Sequence, residues 1–211
     1  MQTDAEARRQ IVEIAGDLFA MGHLTPTGGN ISARGTDEDK LWITPSQLYK
    51  GTLTEDSLLC ITGDGAVVAG SGKPSIEFQM HWQSYRARPD SLAAVHTHSP
   101  AATAFGITNQ RFPPINTDAV FLADTQIVPW SMPGSKELAD AVEEALKLSR
   151  GAILQCHGLM AVGKTMRDAA TRAMMLEETA KLVLYCKQFG GELALLPDEW
   201  VENLASIANF L

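Results

Sequence analysis

The spacing of apolar positions changes several times along the chain, and each change marks an element. Over the first twenty residues Ile11, Ile14, Ala15, Leu18 and Phe19 recur at steps of three and four. That is one buried face of a helix, and Gly22 is placed to end it. After the turn-rich TPTGGNIS the period shortens. NISAR and KLWIT flank the polar GTDEDK, and LLCIT and AVVAG flank GDG, which predicts two β-hairpins. KPSIEFQMHWQSYRARPD returns to helical spacing through Phe78, Trp82 and Tyr85. Pro74 and Ser75 set the start of that helix at Ser75, and it ends before Pro89. LAAVHTHS reads as a strand, ELADAVEEALKLS as a helix and AILQCH as a short buried strand. TMRDAATRAMMLEETAKLVLYCKQFGG is a long helix opened by Thr165 and Asp168 at capping-box spacing and stopped at Gly190. PDEWVENLASIANFL is a weaker helix. Strands interleaved with helices predict an α/β fold with a mixed, largely antiparallel sheet covered by helices.

Composition narrows this picture. At 211 residues, 45% apolar and 20% charged, without repeats or low-complexity tracts, the chain is expected to form one compact domain over residues 1–211. A net charge of −8 excludes a phosphate-backbone binder, which needs clustered Lys and Arg. The N-terminus has early charges of both signs, and no run of eighteen apolar residues occurs anywhere; a soluble cytoplasmic protein without membrane or nucleic-acid partners is the expectation. Cys60, Cys156 and Cys186 are widely spaced and form no C-x-x-C pair, so reduced core cysteines are expected rather than a disulfide framework or thiolate cluster.

Candidate chemistry centres on AAVHTHSPAATAF, residues 93 to 105. Side chains two apart on a strand share a face, so His96 and His98 project together while Val95 and Thr97 face the other way. That suits two ligands of one metal. His157, in AILQCHGLMAVG, is a third imidazole, and three neutral imidazoles with an open position suit a catalytic Zn²⁺ or similar ion. Hydrogen-bonded core or surface histidines would account for each of them as well. Glu77 falls in the first turn of its helix, where a carboxylate also complements the helix dipole. His81 and His23 are expected to pack or cap, and Cys156 to face away from His157. TGGN (27–30) and TPS (44–46) are turn sequences that also let a backbone approach an anion, and Ser75 adds a hydroxyl at a helix N-terminus.

Taken in order, GGNIS, ITPS, GKPSIE, VHTHSP and LQCHG resemble the class II aldolase/adducin family, over most of the chain from the first helix to the helix near 165–190. The resemblance implies a three-layer α/β/α sandwich, commonly a four-fold homotetramer with active sites between subunits. It implies His96, His98 and His157 as zinc ligands, with Co²⁺, Mn²⁺ or Fe²⁺ as substitutes, and Glu77 as catalytic acid/base. The implied reaction is reversible aldol cleavage of a ketose phosphate or related hydroxy-carbonyl compound through a metal-stabilised enediolate. The family's phosphate pocket maps onto Gly29, Asn30, Ser46 and Ser75. Two positions depart: Gln47 replaces a usual Gly, and Ile76 replaces a second Ser, removing a hydroxyl donor. Asn116, Thr117 and Asp118 stand where a substrate-side tyrosine is sought. Relatives use the same metal site to decarboxylate hydroxy or keto acids or to dehydrate sugar phosphates, and that alternative stays open. A non-catalytic, adducin-like interaction domain would have eroded ligands, and this chain has all four.

Overall fold

The computed structural model describes residues 2–208. Helix α1 (Asp4–Ala20) opens on a Thr3–Glu6 capping box and leads into β1 (Asn30–Arg34), β2 (Lys40–Ile43), β3 (Leu59–Thr62) and β4 (Val67–Ala69). Then come α2 (Phe78–Ala87), β5 (Ala93–Thr97), α3 (Pro100–Ile107), α4 (Thr117–Phe121) and β6 (Gln126–Val128). The chain continues through α5 (Lys136–Leu148), β7 (Gly151–Leu154), β8 (Gly158–Gly163), α6 (Met166–Phe189) and α7 (Asp198–Ala208). The strands form one sheet in the order β4-β3-β2-β1-β5-β8-β7-β6, antiparallel at every pairing except β6 with β7.

Strand alternation explains the layers. Ile31, Trp42, Val95, Ile153, Leu159 and Ala161 point to one face, where they meet Ile11 and Leu18 of α1, Phe105 of α3 and Leu176 of α6. Their sequence neighbours Ile43, Ala94, Leu154, Met160 and Val162 point to the opposite face, against Met80 and Tyr85 of α2 and Leu138, Val142 and Leu146 of α5. Each fully buried Leu, Ile or Val contributes roughly 1.5–3 kcal/mol of transfer free energy, so the inner strands of the sheet are held from both sides, while the edge strand β4 is exposed. The result is the three-layer α/β/α sandwich expected. Among the described residues no helix is long and apolar enough to cross a membrane.

The departures from expectation concentrate near one end of the sheet. The helix expected from Ser75 starts at Phe78, because the Ser75 hydroxyl accepts the Glu77 N–H at 3.2 Å and the Ser75 carbonyl accepts the Phe78 N–H, folding 75–77 into a turn. Glu77 therefore occupies the N-cap position rather than the first turn. His157 lies beyond β7, in the tight turn to β8. That second strand, GLMAVG, is central and buried on both faces; such a strand loses the alternation that makes others visible. Helices α3 and α4 and the three-residue β6 were likewise unmarked by periodicity. The cysteine expectation fails in part: Cys60 is buried, but Cys186 is half-buried and Cys156 is exposed at φ 57° in the turn.

Candidate metal centre

The site forms where β1 begins and β5 ends. These strands run antiparallel with Asn30 opposite His96, while β8 brackets β5 from the other side with His96 opposite Met160. His98 lies just past β5, its N–H donated to the His23 carbonyl at 3.1 Å. The turn bearing His157 presses on the end of β5: a Cβ at Gly158 would lie 2.1 Å from the Thr97 carbonyl oxygen, so only glycine permits this approach. Gly28 has the same role beside His98, where a Cβ would fall 2.6 Å from Nδ1.

One ligand atom from each of Glu77, His96, His98 and His157 lies within 4.8 Å of the others. Glu77 Oε1 is 3.0 Å from His157 Nε2, Glu77 Oε2 is 3.3 Å from His96 Nε2, and the Nε2 atoms of His96 and His98 are 3.1 Å apart. His96 Nδ1 is 2.8 Å from the Leu159 carbonyl oxygen. A carbonyl only accepts, so Nδ1 carries a proton; in the neutral ring Nε2 then turns its lone pair toward the centre, the arrangement that orients a metal-binding imidazole. Glu77 Oε1 is buried and accepts no hydrogen bond among the described residues. A divalent cation suits this donor set: three imidazoles and a carboxylate whose facing atoms otherwise satisfy one another poorly.

Behind Glu77 runs a buried chain of hydrogen bonds. Asn30 Nδ2 donates to Glu77 Oε2 at 2.8 Å, which leaves Asn30 Oδ1 to accept from His81 Nε2. Ser32 Oγ lies 2.7 Å from His81 Nδ1 and 2.9 Å from the Tyr85 hydroxyl. Burial, with the charge of His96 adding to it, depresses His81 to a pKa of about 3, so its ring is neutral near pH 7 and its one proton sits on Nε2. Every donor in the relay is thereby fixed: Tyr85 to Ser32, Ser32 to His81, His81 to Asn30, Asn30 to Glu77.

The electrostatics of the four inner groups are coupled. Burial pushes the Glu77 carboxyl up, but the neighbouring rings of His96 and His157 outweigh it and hold Glu77 well below the usual carboxylate range. Burial pushes His96 down, and the Glu77 charge raises it further than that. Burial and the two other imidazoles bring His98 to about 4, with a small further push from Lys50. The His98 ring is therefore neutral near pH 7, the form in which an imidazole binds a metal.

A pocket of about 260 Å³ opens on the cluster, lined by His98, His157 and Glu77 together with Gly29, Asn30, Ser46, Ser75 and Lys50. All eight candidate site residues thus meet at one place, His96 lying behind the pocket wall. Gln47 and Ile76 border the pocket too, both exposed. His23 and His81 lie outside the cluster; His23 is buried beside Ser99, Nδ1 to Oγ 3.1 Å. Asn116 caps α4 through the Ala119 N–H at 2.8 Å and, with Asp118, borders a different cleft against α6. Lys50 and the linkage of Asn30 through His81 to Ser32 went unmarked in the sequence, although Gly28 and Asn30 stood in the TGGN turn. His81, one turn after Glu77, carried a signal; a lysine after a turn motif carried none.

The sequence profile of the class II aldolase and adducin N-terminal domain matches residues 9–184. The chain belongs to the class II aldolase/adducin family. It is 36% identical over 200 residues to the 5-deoxy-D-ribulose 1-phosphate aldolase of Bacillus thuringiensis serovar kurstaki, covering 94% of this chain and 93% of that one. To the L-fuculose phosphate aldolase of Escherichia coli K12 it is 32% identical over 193 residues, 90% of this chain and 88% of the other. A solved L-fuculose 1-phosphate aldolase superposes with a TM-score of 0.86 at 27% identity, covering 97% of both chains. The family's sandwich and the arrangement described above agree.

Proposed function

We propose that this chain is a divalent-metal lyase that reversibly cleaves a ketose phosphate, or a related hydroxy-carbonyl compound, by retro-aldol chemistry. The observation that carries this reading is the convergence of Glu77, His96, His98 and His157 within 4.8 Å at the floor of a pocket, in a chain related to sugar-phosphate aldolases. His96, His98 and His157 hold the ion. Three imidazoles favour zinc, and the same set accepts Co²⁺, Mn²⁺ or Fe²⁺. A bound divalent ion supplies Lewis acidity to the substrate carbonyl and charge to stabilise the anion that develops beside it.

Glu77 moves the proton. Asn30 anchors Oε2, which leaves Oε1, free of hydrogen-bond donors, to take the proton from the carbon next to the carbonyl or to return it. Gly29, Asn30, Ser46 and Ser75, which line the same pocket, bind the substrate's anionic group. By family likeness the working form is a cytoplasmic homotetramer of single-domain chains, with the pocket completed by a neighbouring subunit. Ile76 favours a second reading: an exposed apolar side chain at the pocket, where a hydroxyl would serve a phosphate, fits a decarboxylase or dehydratase acting at the same metal. A non-catalytic interaction role is disfavoured by the intact ligand set.

The deciding experiment is proton NMR of dihydroxyacetone phosphate in D₂O with zinc-loaded protein. Stereospecific loss of one C3 proton, absent with Glu77→Gln, is the expected result. No exchange with metal demonstrably bound would sink the aldol reading and favour the second one.

A further inference from the structure

Lys50 is a buried cation without an anion. The residue is 2% exposed. Its Nζ donates to the Leu48 carbonyl at 3.3 Å, and among the described residues no carboxylate lies within 4.0 Å of it. Burial depresses its pKa. An ammonium kept out of water is costly unless a counter-charge reaches it, so natural chains seldom leave one in this state.

Its setting shows where that counter-charge arrives. The Lys50 N–H donates to the Pro26 carbonyl at 2.9 Å, tying the residue to the segment that carries Gly28 and Gly29. The turn is further pinned at Gly51, where a Cβ would lie 2.8 Å from the rings of both Phe19 and Tyr49. Lys50 borders the same pocket as Gly29, Asn30, Ser46 and Ser75, which Glu77, His98 and His157 also line. Lys50, His98, His157 and Glu77 line one pocket, so the ammonium and the Glu/His cluster share one enclosure.

We propose that Lys50 is the counter-charge for the substrate's phosphate: a phosphoryl oxygen seated among Gly29, Ser46 and Ser75 accepts a hydrogen bond from Nζ, in place of the hydroxyl that Ile76 cannot supply. This rests on the aldol reading of the pocket and refines it. It also accounts for both anomalies together, because the chain that lacks one neutral donor carries one unpaired buried charge. A charge-assisted hydrogen bond is stronger than the neutral one it replaces, so the substitution retains a phosphate site rather than abandoning it.

The test compares zinc-loaded wild-type protein with Lys50→Met, and with Lys50→Gln should the first variant fold poorly. In the NMR exchange assay, Lys50→Met is expected to lower kcat/KM for dihydroxyacetone phosphate, through KM, about 10- to 100-fold more than for unphosphorylated dihydroxyacetone. In thermal unfolding, millimolar inorganic phosphate raises the wild-type Tm and leaves that of Lys50→Met unmoved, while the variant without phosphate melts higher than wild type because a buried charge is gone. Equal losses on both exchange substrates would overturn the proposal, as would a phosphate response that survives in Lys50→Met. A Lys50-dependent Tm response to short 2-oxo carboxylates and not to phosphate would overturn it in favour of a carboxylate site. A variant whose sedimentation coefficient falls, with no phosphate effect in either protein, would assign Lys50 to a subunit contact instead. Absence of any exchange by wild type, alongside a Lys50-dependent phosphate response, would remove the aldol reading and leave the anion site standing.

Discussion

The two halves of the centre are built by different means. His96 comes from β5 and His98 from the residue just past it, so the two-residue period of the strand aims both rings at one point, with the Leu159 and His23 carbonyls holding them there. Glu77, His157 and Lys50 come from turns, and each is placed by a contact remote from its own stretch or by a local bond that interrupts regular structure. Ser75 holds the Glu77 N–H, Gly158 lets the His157 turn close on Thr97, and Pro26 holds the Lys50 N–H. On the reading proposed above, the strand is the rigid seat of the ion in the middle of the sheet and the turns carry the groups that meet substrate; turns tolerate substitution. The departures at Gln47 and Ile76 fall in turns, as this contrast predicts.

Breaking the strand half has the largest effect. His96→Ala is expected to lose the ion and more than about 10³-fold in activity, because its ring is fully buried with Nδ1 already committed to Leu159. Glu77→Gln in the turn half keeps the ion and loses about 10²–10⁴-fold in turnover. Metal content by atomic emission separates the two; a metal-free Glu77→Gln protein with intact fold would contradict the division. Next comes the link between halves. Asn30 sits on β1 but serves Glu77, and Asn30→Ala removes a buried hydrogen bond to a charged group, worth roughly 1.5–3 kcal/mol. About a 10- to 100-fold fall in kcat with metal content unchanged is expected, and an unchanged kcat would show that Glu77 needs no anchor.

The same contrast explains what could be read from the sequence. The amphipathic periods of α1 and α5 and the α6 caps at Thr165 and Gly190 are local, and the elements formed where those signals stood. The His96–His98 pair was legible for that reason. Strand β8 was not, since Leu159 and Ala161 face one core and Met160 and Val162 the other, and a strand apolar on both faces has no period to find. The helix start at Ser75 was misplaced because Pro-Ser is a good N-terminal pair for a helix and an equally good turn. Lys50 was invisible: its burial depends on the turn 50–52 packing under Pro26, Phe19 and Tyr49, and a lone Lys in sequence reads as solvated.

A pH experiment sharpens the account of the relay behind Glu77. Unfolded, His81 titrates near 6.5; folded, burial holds it at about 3. Between those values the unfolded chain binds the extra proton, so this group's contribution to stability is complete above about pH 6.5. Below that it is lost by up to about 1.4 kcal/mol per pH unit as the pH falls toward 3. His96, raised by Glu77, acts in the opposite direction, which is why the comparison must be with a variant. Urea unfolding of metal-free wild type and His81→Gln at pH 7, 6 and 5 should give a shallower loss in the variant. Parallel slopes would mean that His81 already carries its proton in the fold and that the relay runs in another direction.

The smallest expected effect tests how far the turn half can be altered without harm. Gln47 adopts φ 57°, a left-handed conformation that costs a side-chain-bearing residue about 1–2 kcal/mol. Glycine would relieve that strain, but it gives back roughly 0.5–1 kcal/mol through the freedom it adds to the unfolded chain. Gln47→Gly is thus expected to stabilise by about 1 kcal/mol at most, a Tm rise of about 2–4 °C or less. Its side chain is exposed at the border of the pocket rather than buried in it, so KM for dihydroxyacetone phosphate should change less than about threefold, below one kcal/mol of binding. A tenfold fall in KM would mean that the Gln47 side chain, and not the charge of Lys50, governs how closely an anion approaches Ser46. The turn would then be a partial block on phosphate, and the decarboxylase or dehydratase reading would gain what the aldol reading lost.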